Sequence, residues 1–124
     1  MLPEAIVVKT RKAIESLYDG RCTITEYQKG KRENGSTGFS ETIVHEGISC
    51  RLSFKSINSA NPGASATAVT QTIKVFLAPE INVKPGSKLT ITQNGVTTAY
   101  KASGKPAIYS THQEIILDLF EGWA

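Results

Sequence analysis

The residues able to do chemistry in this chain are few and poorly placed for it. Gly30-Lys31-Arg32-Glu33-Asn34-Gly35-Ser36-Thr37 has the outer spacing of a phosphate-binding loop. That loop needs a lysine directly before its hydroxyl residue, and Ser36 stands there instead, with no strand-loop-helix pattern around it. His45 and His112 are isolated, without a cysteine or second histidine at zinc-ligand spacing. Cys22 and Cys50 are too few and too far apart for a metal site or a disulfide framework. His112, Asp118 and a serine make a triad only by arithmetic, since no Gly-x-Ser-x-Gly elbow is present. Glu41 and Glu46 sit on a stretch that reads as a solvated strand face. Neither an enzyme nor a cofactor is expected.

What remains is electrostatic. Lys29, Lys31 and Arg32 lie close together, with Arg51 and Lys55 expected nearby across a hairpin. Such a patch can meet a phosphate backbone by charge alone, without reading bases. Against this, a net charge of +3 over 124 residues is slight for a phosphate binder. Basic residues are in any case mostly exposed. The length allows one domain with a single modest core. No apolar run approaches the roughly 20 residues of a membrane span, so no membrane partner is expected. The start, Met1-Leu2-Pro3-Glu4, lacks the basic and apolar regions of a signal peptide and points to a cytoplasm. There the two cysteines are expected as buried thiols.

These residues must be positioned by a mainly β chain. Leu2 to Asp19 reads as a helix, with Pro3 and Glu4 suited to its first turn and Gly20 as a left-handed stop. Ile6, Lys9 or Thr10, Ala13, Ile14 and Leu17 form a partial apolar stripe, broadened by Ala5, Val7 and Val8. One apolar side would pack on the sheet and the other would meet a neighbouring subunit. Strands are expected over Arg21–Lys29, Phe39–Phe54, Ile73–Leu77, Leu89–Gln93, Val96–Lys101 and about Ala107–Glu121. In the second, Gly47 marks a bulge; in the last, Glu114–Phe120 also fits a helix by pattern, with strand favoured. Lys84-Pro85-Gly86 predicts a type II turn, and Asn94-Gly95 a two-residue hairpin pairing Leu89 with Tyr100 and Ile91 with Thr98. Ser103-Gly104-Lys105-Pro106 reads as another turn. Two long loops are expected: Gly30–Gly38, with a basic end, and Ser56–Thr70, uncharged throughout and rich in Ser, Asn, Ala, Gly and Thr. Centring the first loop near Ser36 puts Cys22 roughly opposite Cys50. The fold class expected is a small six- to seven-stranded β-barrel preceded by one helix.

Several of these segments together resemble the head-closure proteins (head–tail connectors or stoppers) of tailed bacteriophages, particularly those infecting Gram-positive bacteria. They are Tyr27-Gln28, Cys50-Arg51-Leu52-Ser53-Phe54-Lys55, Lys74 to Glu80, Lys84 to Lys88, Gln93-Asn94-Gly95, Tyr100-Lys101, Ser103-Gly104, His112 to Ile115 and Leu119 to Trp123. The likeness runs over roughly residues 20–124. It implies a virion subunit at the neck, assembled in the host cytoplasm, that forms a ring of about twelve copies by head-to-tail contact. Such a ring sits under a portal or adaptor protein, retains the packaged double-stranded DNA, and offers a docking surface to a tail terminator or other tail protein. The resemblance also implies a loop facing the channel. Ser56–Thr70 is favoured, through Ser56, Asn58, Asn61, Pro62, Gly63, Ser65 and Thr67, because uncharged small residues crowd at an axis without self-repulsion. Gly30–Gly38 is its rival, with Lys29, Lys31 and Arg32 facing DNA. Val7, Val8 and Trp123 are the candidate subunit interface. A tail terminator or other joining protein is the alternative. A small-barrel nucleic-acid-binding module is the remoter one, disfavoured because Tyr27, Tyr100 and Tyr109 are too scattered for a stacking face.

Overall fold

The computed structural model describes residues 3–31, 37–59 and 68–123. One helix, α1 (Glu4–Glu15), precedes six strands: β1 (Gly20–Lys31), β2 (Thr37–Ser59), β3 (Ala68–Leu77), β4 (Lys88–Gln93), β5 (Val96–Ile108) and β6 (Gln113–Leu119). The strands pair antiparallel throughout and close into a barrel in the order β1-β2-β3-β6-β5-β4. The fold is mainly β, as the alternating pattern and turn residues predict.

The core is the inward row of each strand. Leu52 lies across from Val75 and Val75 from Ile115. Ile24 lies across from Leu89 and Leu89 from Tyr100. All are buried, with Cys22, Cys50, Leu77, Ile91, Ala102 and Leu117 beside them. Each fully buried aliphatic side chain contributes about 1.5–3 kcal/mol, so this single row around the barrel dominates the stability.

Both expected turns between Lys84 and Val96 are present. Gly86 has φ 86° and the Ser87 amide donates to the Lys84 carbonyl at 3.1 Å. Asn94 and Gly95 have φ 54° and 75°, and the hairpin they close has the expected register. Thr92 and Thr97 add a cross-strand hydroxyl pair at 2.7 Å.

Elsewhere the turn residues serve to bend strands. Gly47, with φ 66°, belongs to a double bulge in β2: Cys22 pairs with Ile48, Ile24 with His45, and Thr25 with Ile43. The hairpin pairs Lys31 with Thr37, a register centred two positions before Ser36, and the two extra residues recover only part of that offset, so Cys50 faces Gly20 and not Cys22. Both cysteines are free and buried, and they still touch: hydrogen bonding to Cys50, with burial, holds the Cys22 thiol far above its ordinary range. Ser103–Pro106 is not a reversal. β5 runs straight through it, and its pairing with β6 jumps from Ser103–Ile116 to Ala107–Glu114 around Gly104, φ 71°. The reversal comes at Tyr109–His112, where the Tyr109 amide donates to the His112 carbonyl at 2.8 Å. The single strand expected from Ala107 to Glu121 is therefore split between β5 and β6. Closing a small barrel needs such kinks, and glycine supplies them in strand interiors as readily as in loops.

The helix is shorter than expected and turned differently. It ends at Glu15, with Ser16 still right-handed, so Gly20 is no helix stop. Gly20 opens β1, where a Cβ would stand 3.0 Å from both the Cys50 carbonyl oxygen and Gln93 Oε1. Close approach, not positive φ, is what requires glycine there. Val7, Arg11, Ile14, Glu15 and Tyr18 are the half-buried positions of this segment, whereas Ile6, Thr10, Ala13 and Leu17 are exposed. Of the stripe read as packing surface, Ile14 alone is half-buried and the rest faces water; on the half-buried side with Ile14 lies Arg11. Its guanidinium binds Glu15 within the helix at 2.9 Å and Glu80 in the β3–β4 connection. Glu80 is held below the usual carboxylate range by that contact.

Two glutamines complete the backbone pairing of the barrel. β1 ends its pairing with β2 at Gly20–Cys50, which leaves Leu52 two residues beyond. There the Leu52 amide donates to Gln93 Oε1 at 2.8 Å and Gln93 Nε2 donates to the Leu52 carbonyl at 3.3 Å. The side-chain amide thus stands in for a missing peptide. Below, fully buried Gln113 donates from Nε2 to the carbonyls of Ala78 and Ile81, at 2.7 and 2.5 Å, and fastens the β3–β4 connection. Replacing Gln93 with Ala should lower unfolding stability by about 1–2 kcal/mol, the cost of two half-buried backbone groups losing their partner. Urea unfolding would measure it. A change below about 0.5 kcal/mol would mean that water replaces the amide at no loss.

Candidate functional site

The site follows from strand lengths that do not match. β2 has 23 residues, more than the barrel wall can use. On its first half, pairing with β1 continues to Lys31–Thr37, although β1 leaves β4 at Thr25–Lys88. On its second half, pairing with β3 continues to Ser59–Ala68, although β3 meets β6 only from Ile73–Leu117 onward. Two ribbons therefore leave the barrel at opposite ends of β2. One consists of Glu26–Lys31 with Thr37–Thr42, and the other of Lys55–Ser59 with Ala68–Thr72. At about 3.3 Å per residue, the second projects on the order of 15 Å before its tip.

This changes the expected loops. Ser56–Thr70 is not one long loop: Ser56 pairs with Gln71 and Asn58 with Val69 as ordinary ladder partners. Polar uncharged residues do not stop a ladder that the barrel has already started, because pairing is a main-chain matter. Asn61, Pro62, Gly63, Ser65 and Thr67 lie outside the described residues. The Gly30–Gly38 loop is likewise narrowed by the Lys31–Thr37 pair. Lys29 is exposed opposite Phe39, the Lys31 backbone pairs with Thr37, and Arg32 lies outside the described residues. Arg51 and Lys55 do not join them. They pair with Phe76 and Thr72 on the far half of β2. Of the described members of the basic patch expected from the sequence, Lys29 and Lys31 lie on the first ribbon, Lys55 on the second and Arg51 in the barrel wall between them.

The three interface candidates separate as well. Val8 is exposed, Val7 is half-buried, and Trp123 is engaged within its own chain. Its ring stacks on Tyr27 at 5.0 Å and 8°, Tyr27 stacks in turn on Phe39 at 5.2 Å, and Phe120 meets Trp123 edge-on at 4.9 Å. The indole Nε1 donates to Glu41 Oε1 at 2.9 Å, while Lys88 Nζ lies 3.3 Å from the same oxygen and 4.8 Å above the Phe120 ring. The C-terminal segment is thereby strapped across the outside of the barrel onto the first ribbon. Tyr27, Phe39, Phe120 and Trp123 are too far apart in sequence for spacing to reveal this. The only sequence signal is an aromatic after the last strand.

Sequence reasoning also missed an apolar rim beside the second ribbon. Phe54, Val96 and Leu119 lie on the inward rows of β2, β5 and β6 yet are each more than half exposed. Phe54 and Val96, with Leu52, Gln93 and Tyr100, edge a groove of about 220 Å³. On the opposite hairpin, His112 stacks on Tyr109 at 4.9 Å, and its Nε2 lies 3.0 Å from Glu114, which Lys74 also reaches at 3.3 Å. His112 and then Lys74 draw the Glu114 carboxyl below its ordinary value. The group braces the β5–β6 turn. Among the described residues, no three His, Cys, Asp or Glu side chains gather as a metal requires. No described helix is long and apolar enough to cross a membrane.

Compared with known proteins, the chain matches no family model and no curated sequence. Among solved structures it is similar to the phage-like element PBSX protein xkdH from Bacillus subtilis. The TM-score is 0.48 and the identity 13%, over 82% of this chain and 93% of that one. A likeness so distant carries no argument about function.

The C-terminal strap has a testable pH dependence. The Trp123 hydrogen bond, with Lys88, holds the Glu41 carboxyl below its ordinary value. Its contribution is present above the unfolded value of about 4.3 and is lost as pH falls through the lower folded value. Trp123 is the one tryptophan, so its emission reports the contact. Glu41→Ala should red-shift the emission at neutral pH, and the wild type should show that shift only in acid below about pH 4. Identical emission from the two proteins at neutral pH would contradict the strap.

Proposed function

We propose that this chain is a structural subunit of a tailed-phage particle, and within it a head-closure ring protein at the head–tail junction. The observation that carries the reading is the uncharged ribbon leaving a closed barrel. No charge occurs between Lys55 and Lys74, so copies of this ribbon can crowd around an axis without repulsion. The barrel itself is closed and has no continuous sheet edge to offer. Contacts with neighbours then fall to the ribbons, the exposed helix flank and the apolar rim. The residues from Tyr27-Gln28 to Gly122-Trp123 that resemble head-closure proteins agree with this use.

In this reading about twelve copies form a head-to-tail ring. One face meets the portal or adaptor protein and the other a tail terminator or tail protein. The second ribbon, Lys55–Ser59 with Ala68–Thr72, faces the channel and helps retain the packaged double-stranded DNA. Lys29 on the first ribbon is then a passing contact for phosphates, with charge and no base recognition. The role is structural and calls for no catalysis.

Removing the chain from the particle that encodes it should leave packaged heads that lose DNA and carry no tails. Electron microscopy and a nuclease-protection assay would measure both. Tailed, infectious particles would overturn the proposal. A sixfold ring located at the tail side would replace it with a tail-terminator role.

A further inference from the structure

Helix α1 is weak by composition. Ile6, Val7, Val8, Thr10 and Ile14 make five of its twelve residues β-branched, and such side chains lose rotamer freedom in a helix. Pro3, at its N-cap, gives the first turn no side-chain hydrogen bond. A free helix of this length is marginal in water even with better residues, so α1 needs the barrel to hold it. The barrel gives it little. None of its residues is buried, Val7 and Ile14 are its half-buried apolar side chains, and Ile6 and Val8 are each about half exposed.

Polar attachment is narrower still. After the helix the main-chain hydrogen bonds stay within the segment, from Ser16 to Lys12, Leu17 to Ile14 and Tyr18 to Glu15. Ladder pairing begins only at Gly20. Among the described residues, Arg11 to Glu80 is the one hydrogen bond or ion pair that joins residues 3–19 to the barrel. Glu80 belongs to the β3–β4 connection that Gln113 fastens, so the anchor itself is firm. The Glu80 side chain is 59% exposed, however, which leaves the pair open to screening by salt. Close by in sequence, the Tyr18 hydroxyl is buried without a hydrogen-bond partner, a cost that hydration would relieve.

We infer that α1 is a releasable arm, which opens from the barrel as a unit while the barrel stays folded, and that the Arg11–Glu80 pair is its latch. Opening gives up one exposed ion pair and the half-buried contacts of Val7 and Ile14, and it breaks no rung of the ladder. Local openings are drawn from elements of this kind, with little buried surface. The hinge is Ser16–Asp19, between the last helical residue and Gly20, whose place is fixed by close approach to Cys50 and Gln93. A charged partner that takes Arg11 or Glu80 for itself shifts the balance toward the open arm. The device belongs to the single chain and does not depend on the ring reading.

Native-state amide hydrogen exchange on the full chain tests it, with Glu80→Ala as the variant. Glu80 lies outside the helix, so its loss leaves the residues of α1 untouched. In the wild type the α1 amides should exchange at least about a hundredfold faster than the slowest amides of β3 and β6. Glu80→Ala should speed exchange in α1 by a further factor of about two to five and leave β3 and β6 unchanged. Raising the salt to about 1 M should have the same effect on the wild type and much less on the variant. Helix amides as slow as those of the core strands would mean that α1 opens only when the barrel unfolds, which overturns the arm. Fast helix exchange that Glu80→Ala does not alter would overturn the latch. Equal acceleration in helix and core would make the contact a support of the whole fold, and the inference would fall with it.

Discussion

Every peptide group in the wall of a small barrel must find a partner, and here the strands are too unequal to supply them all. β4 and β6 are short, β2 is long, and β1 starts two residues too late to cover Leu52. The structure meets this at three places. The Gln93 side chain pairs with the Leu52 backbone where a strand is missing. Gln113 pairs with the carbonyls of the β3–β4 connection. Surplus strand is paired with itself and leaves as ribbons. Gly20 belongs to the same seam, since any larger residue would push Gln93 and Cys50 away from it.

Charge and aromatic contacts then fix what the barrel leaves loose. A helix of twelve residues with none buried is marginal by itself. Arg11 holds it by spanning Glu15 and Glu80, and so selects which flank faces the barrel. At the other end of the chain, the stack from Phe39 through Tyr27 to Trp123, tied by Glu41 and Lys88, holds the last residues on the first ribbon. Exposed ion pairs are individually weak. Their use here is to choose between orientations, which takes little energy.

The proposed role follows from the same inequality of strands. A closed barrel is a poor assembly unit because it removes its own edges. This one restores two edges in the ribbons, one charged, the other uncharged. It also leaves the Phe54–Val96–Leu119 rim and the Ile6–Leu17 flank of the helix open to partners. A ring subunit that must hold its neighbours and narrow a channel has use for all of them.

Local chemistry by itself determined much of this protein. Alternation set the strands and the inward rows; Pro85-Gly86 and Asn94-Gly95 set two turns and a register, because positive φ is a property of the residue and its neighbours alone. The uncharged character of the Ser56–Thr70 stretch was legible in the same way. Only the tertiary structure decided the rest. Whether Gly104 bends a strand or ends it depends on what lies across the sheet. Which helix stripe is buried depends on a carboxylate at Glu80, far away in sequence. Ser56–Ser59 and Ala68–Thr70 became strand because the barrel had already begun their ladder, and Trp123 folded back because Tyr27 and Glu41 were waiting on another strand. Such outcomes turn on partners brought together by closure, and sequence spacing carries no record of them.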